Sequence, residues 1–68
     1  MGDGVLPLAA MEKILKHAGA ARVSADAKDS LRVVLEDLGK TLATKANQIA
    51  KHAGRTTIKA EDIKLAIK

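Results

Sequence analysis

Apolar residues fall on one helical face in two stretches of this chain, and the second stretch is far longer than the first. In the first, Leu8, Met11, Ile14, Leu15 and Ala18 keep steps of three and four, which predicts a helix from about Pro7 to about His17. Pro7 suits the first turn, where a missing N–H costs nothing, and Gly19 stops the helix. The same period then runs through Leu31, Val34, Leu35, Leu38, Leu42, Ala46, Ile49 and Ala53. It predicts a second helix from about Ala25 to about Ala53, capped by Ser24 and opened by Asp26 and Asp29. A third, short helix is predicted from about Ala60 to Ile67. Residues 1–5 carry two Gly and an Asp without any apolar period and read as a short flexible tail. What remains, residues 6–68, is one all-α domain.

The length of the middle helix has a consequence. At 1.5 Å per residue it spans ~43 Å, whereas a compact chain of this size has a radius of gyration near ~11 Å. The short outer helices are too small to cover both ends of its stripe, so a second chain is expected to cover the rest. Size points the same way: below about 70–80 residues a single core rarely supplies more than ~3–5 kcal/mol. The 68 residues include no Cys for a disulfide and no aromatic side chain, which leaves oligomerisation as the staple. Gly39, at the middle of the long helix, reads either as a close-approach point where two such helices cross or as a tolerated glycine.

Around the middle helix the chain repeats itself. His17-Ala18-Gly19 returns 35 positions later as His52-Ala53-Gly54, and Arg22-Val23-Ser24-Ala25-Asp26 returns as Thr57-Ile58-Lys59-Ala60-Glu61. Each copy is a basic helix end, a Gly stop, a short loop with one β-branched apolar residue, and a small-residue and acidic start to the next helix. Each loop has room for only a fragment of strand, which is unstable unless paired. In a dimer with antiparallel crossed long helices, the first loop of one chain would lie beside the second loop of the other, with Val23 and Ile58 anchoring a two-stranded bridge.

Twelve Lys and Arg against eight Asp and Glu give a net charge of +4, which favours a polyanionic partner. Without aromatics there is no platform on which unpaired bases could stack, so a duplex held by its phosphates fits better than a single strand. Cysteine is absent, as suits a reducing compartment, and neither a membrane span nor a signal peptide is evident. A soluble, intracellular protein is expected.

The run Ala53-Gly54-Arg55-Thr56-Thr57-Ile58-Lys59-Ala60-Glu61-Asp62-Ile63, together with Leu6-Pro7, Ala18-Gly19-Ala20 and Arg22-Val23-Ser24, resembles the archaeal histones. The likeness extends from about Leu6 to Lys68. It implies a histone fold of short, long and short helices joined by two strand-loops, and an obligate handshake homodimer. Such dimers join through four-helix bundles into a superhelix that wraps and compacts duplex DNA in the cytoplasm, on the chromosome, without catalysis or cofactor. A heterodimer with another histone is compatible with it.

The resemblance also implies residue roles. Arg22 matches the first-loop arginine that enters the minor groove, and Thr57 the threonine that orients it from the partner chain. Lys13, Lys16, Arg55 and Lys59 match basic positions that meet phosphates. Arg55 further matches an arginine paired with Asp62. Ile49, His52, Asp62 and Leu65 match the dimer–dimer bundle, where the histidine and the aspartate bond across the interface. Gly19 matches a position where successive superhelical turns come close. Helix starts at Ser24 and near Lys59 would aim N–H groups at phosphates. The chain departs from the pattern at Thr56, where relatives commonly have a basic residue and which implies a weaker phosphate contact. It departs also at Val33 and His17, both often acidic in relatives; Val33 weakens the case for stacking between turns.

Plainer readings apply elsewhere. His17 and His52 sit at helix C-termini, where exposed carbonyls favour them, and no second His or Cys lies at ligand spacing, so no metal site is expected. Glu36-Asp37 and Glu61-Asp62 are paired acids without a nucleophile beside them. Lys28, Arg32, Lys40 and Lys45 read mostly as a solvated face, some of it within reach of DNA. The rival to DNA wrapping is a histone-fold subunit of a transcription-type complex, which would keep the handshake and bind protein. A helix-turn-helix repressor needs shorter helices than this chain offers.

Overall fold

The structure, a computed structural model, describes residues 5–68; most of the expected tail, residues 1–4, lies outside the described residues. Three helices follow in order: α1 (Leu8–His17), α2 (Ala25–His52) and α3 (Ala60–Ile67). No strand occurs among the described residues. The chain divides within α2 into two compact units, Met1–Asp37 and Leu38–Lys68.

In the first unit, α1 begins one residue later than its apolar period suggested. Pro7 is the N-cap, with φ −73° and ψ 143°. Its extended ψ keeps it outside the helix while its carbonyl accepts from the N–H groups of Ala10 at 3.2 Å and Met11 at 3.4 Å. The N–H of Leu6 donates to Glu36 Oε2 at 2.9 Å, which ties the entry of α1 to α2. Met11 is the buried centre, and Leu15, Leu31 and Leu35 are half-buried. Ser24 caps α2 as its position suggested: its Oγ accepts from the Ala27 N–H at 3.1 Å.

In the second unit the buried apolar residues are all alanines, Ala46 and Ala50 on α2 and Ala66 on α3. Small side chains let two helix backbones approach closely. The buried surface in both units is meagre. Among the described residues four hydrophobic side chains are buried, against ten large aliphatic ones that are exposed, including Val34, Leu38, Ile63 and Leu65. A stripe so uncovered is the mark of a chain whose core is incomplete alone.

Both helix stops are built alike, as the repeat in sequence implied. At the end of α1, the N–H groups of Ala20 and Gly19 donate to the carbonyls of Leu15 (3.1 Å) and Lys16 (3.0 Å). Thirty-five residues on, Arg55 and Gly54 donate to Ala50 and Lys51, both at 2.9 Å. This is the Schellman arrangement, which requires positive φ at the glycine; Gly19 has φ 113° and Gly54 φ 75°. Ala53 is therefore a cap residue and not the last residue of α2. Gly39 makes no close approach within the chain, since a Cβ there would meet nothing within 4 Å. The loop residues 22–24 and 57–59 form no strand in the single chain, though Lys59 is extended at φ −110° and ψ 166°, so the expected bridge would need a second chain.

Candidate nucleic-acid interface

The second corner is closed by an ion pair. Arg55, just past the Gly54 stop, donates through Nη1 to Asp62 Oδ2 and through Nη2 to Asp62 Oδ1, both at 2.9 Å. Its Nη1 also reaches the Thr57 carbonyl at 3.1 Å. Asp62 occupies the third position of α3, and its Oδ2 accepts from the Lys59 N–H at 2.8 Å, satisfying a donor that the helix start leaves unused. The Asp62 side chain is 1% exposed. Hydrogen bonding from Arg55, aided by the Lys59 N–H, lowers its pKa to about 2, and the same pairing raises that of Arg55. Bidentate geometry fixes the guanidinium plane, so the loop from 55 to 59 is held at both ends.

Thr56, Thr57 and the Lys59 side chain are exposed on this closed loop. Arg55 is not equally available. Its side chain is 24% exposed and already engaged by Asp62, with Glu61 Oε2 a further 3.7 Å from Nη2. Asp62 keeps one acceptor site, on Oδ1, but its cover leaves little room for a second donor. His52 is exposed at the last turn of α2, in a shallow groove with Gln48 and Lys51. Ile49 is half-buried and Leu65 exposed. His52 and Asp62 share no hydrogen bond or ion pair within the chain.

The first corner lacks this clamp. At the repeat positions of Arg55 and Asp62 it has Ala20 and Ala27, and Ser24 alone caps the helix. Arg22 is exposed and, among the described residues, makes no hydrogen bond or ion pair. Lys13 is exposed on α1. Lys16 is also exposed but pairs with Glu12 Oε2 at 3.2 Å, and the same carboxylate accepts from Lys28 Nζ of α2 through Oε1 at 3.4 Å. Hydrogen bonding from Lys16, then the charge of Lys28, lowers the Glu12 pKa.

Sequence reading missed this Glu12 junction. The spacing of Glu12 and Lys16, four residues apart, was visible, but the partner from α2 is 16 residues away. At Gly19, φ 113° lies well beyond the left-handed well near +57°. Any side chain there is strained before it meets a neighbour, so a substitution at Gly19 tests backbone strain together with any contact between turns.

Three helices in short, long, short order, with two repeated Gly-stopped corners, define a histone fold. The chain belongs to the family of histone-like transcription factors (CBF/NF-Y) and archaeal histones, whose model matches residues 5–67. It is 46% identical over 63 residues to one of the subunits of the archaeal histone HAN1 from Thermococcus zilligii, covering 93% of this chain and 94% of that one. Probable archaeal histone 3 of Methanocaldococcus jannaschii is 44% identical over the same shares. The DNA-binding protein HmvA of that organism is 42% identical over 60 residues, 88% of this chain and 62% of the relative. No helix among the described residues is long and apolar enough to cross a membrane.

Proposed function

We propose that this chain is an architectural DNA-binding protein that wraps and compacts duplex DNA as dimers, largely without reading sequence. The observation that carries the proposal is the exposed Arg22 on the first loop, without an ion pair among the described residues, in a family whose relatives include a protein named as DNA-binding. Arginine on an exposed loop can enter a minor groove, while lysines meet phosphates on either side. Lys13, Lys16, Lys59, Thr56 and Thr57 are the further contacts in this reading. Arg55 contributes charge from within its clamp, and Thr57 orients Arg22 of the other chain.

The dimer follows from the uncovered stripe of α2, with Gly39 at the crossing and Val23 and Ile58 bridging the loops. Dimers then join through Ile49, His52, Asp62 and Leu65, with the histidine of one dimer facing the Asp62 corner of the next. Gly19 lies where successive turns approach. The protein works on the chromosome in the cytoplasm, as a homodimer or with another histone.

A gel-shift titration on random-sequence duplex tests the reading. The chain alone binds, and affinity falls steeply with salt because each neutralised phosphate releases counterions. A chain that leaves duplex unshifted at low salt refutes the reading and favours a protein partner. The assembly has its own test. Replacing His52 and Leu65 together by charged residues keeps helicity and dimer mass but shortens nuclease-protected DNA to roughly three helical turns of ~10 base pairs; an unchanged ladder refutes that bundle.

A further inference from the structure

We propose that Glu12 is a built-in competitor for phosphate: its carboxylate occupies the ammonium groups of Lys16 and Lys28 in the DNA-free chain and must release them when duplex docks. The inference rests on the DNA-binding reading above and adds to it a residue that sets affinity from within the interface.

Three facts of the first unit carry it. Glu12 Oε2 lies 3.2 Å from Lys16 Nζ and Oε1 lies 3.4 Å from Lys28 Nζ, so each oxygen holds a different lysine. Those lysines come from different helices, Lys16 from the last turn of α1 and Lys28 from the first turn of α2, and so flank the loop that carries Arg22. The three side chains are 38%, 51% and 25% exposed for Glu12, Lys16 and Lys28, so the cluster stands at the surface, where a phosphate can reach it. A carboxylate between two ammonium groups presents the same charge and acceptor oxygens as a DNA phosphate. An ion pair this exposed is weak enough to exchange. Lys13, one residue along α1, makes no ion pair among the described residues and has nothing to give up.

Exchange leaves a signature. When a phosphate replaces Glu12, the displaced carboxylate recruits a cation from solution, which cancels part of the counterion release that drives binding. The parent protein therefore shows a shallower salt dependence than its count of lysines implies. It also carries a negative charge close to the DNA backbone.

The test compares Glu12→Gln with Asp37→Asn, which removes the same charge from an exposed position of α2 that makes no ion pair among the described residues. Affinity for random-sequence duplex is measured across a salt series, with thermal unfolding and dimer mass confirming that each variant is folded. Glu12→Gln binds roughly threefold to tenfold tighter than Asp37→Asn at low salt, and its log–log salt slope is steeper by about one per chain. In a Lys16→Gln, Lys28→Gln background the Glu12→Gln gain disappears. Equal behaviour of the two single variants overturns the inference while the DNA reading stands. Weaker binding by a folded Glu12→Gln also overturns it, since Glu12 would then orient the lysines toward phosphate. A parent chain that fails to bind duplex overturns the DNA reading and this inference with it.

Discussion

The two corners of the molecule share one stop and differ in how they are closed. Both end a helix through the same pair of backbone bonds around a positive-φ glycine. The second then fastens its loop with Arg55 and a buried Asp62, whereas the first has alanine at both equivalent positions and a serine cap. In the second corner the arginine is used by the fold. In the first it stands in solvent, 33 residues earlier in sequence and without an acidic partner among the described residues. One repeat has thus been specialised twice, once for rigidity and once for presenting charge.

Removing the clamp should produce the largest effect. Asp62→Asn leaves the Arg55 guanidinium with the exposed Glu61, 3.7 Å away, in place of a buried bidentate partner, and weakens the bond to the Lys59 N–H, one of the named routes to severe destabilisation. Its drop in thermal midpoint, at fixed protein concentration because assembly shifts the midpoint, should exceed twice that of Ser24→Ala. A drop no larger than the serine variant's would mean that the two corners are closed equally firmly.

The clamp should also be visible in pH. The folded-state pKa of Asp62, about 2, lies below the ~3.9 of an unfolded aspartate. Its stabilisation is therefore complete above about pH 5, declines as pH falls through the unfolded value, and is gone once pH drops through the folded one. Between about pH 5 and pH 2 the parent should lose more stability than Asp62→Asn does. Parallel losses, measured by denaturant titration across that range, would contradict the assigned pairing.

Smaller effects sharpen the contrast. Ser24→Ala should cost about 1 kcal/mol, read as a shift of roughly 4–8 °C in midpoint. The glycines should separate by angle alone, because neither has an atom within 4 Å of an added Cβ. Gly54, at φ 75°, should accept Asn at less than about 1 kcal/mol, and Gly19, at φ 113°, should lose more with the same substitution. Equal losses would show that the two stops are strained alike.

Much of this was legible beforehand. The apolar period located α1 and α2 to within a residue, the expected bounds of α3 match, and the Ser24 cap and both Gly stops followed from residue type, since each rests on local geometry. Pro7 was placed one position too far inside α1 because a proline satisfies the N-cap and the first turn almost equally well. The family resemblance supplied the Arg55–Asp62 pair, and the coordinates added its reach to Thr57 and Lys59. The Glu12 junction stayed hidden because one partner comes from another helix, and periodicity along one helix carries no record of which side chains a second helix brings across.

On the proposed function, Arg22 serves the ligand and not the fold. Arg22→Ala should be measured twice, by thermal unfolding and by titration of random-sequence duplex at fixed salt. The midpoint should be unchanged, because the side chain has no partner among the described residues to lose, and duplex binding should weaken by roughly tenfold per dimer. Parental affinity, or a midpoint lowered by as much as Ser24→Ala lowers it, would mean that Arg22 is not the side chain that holds the duplex.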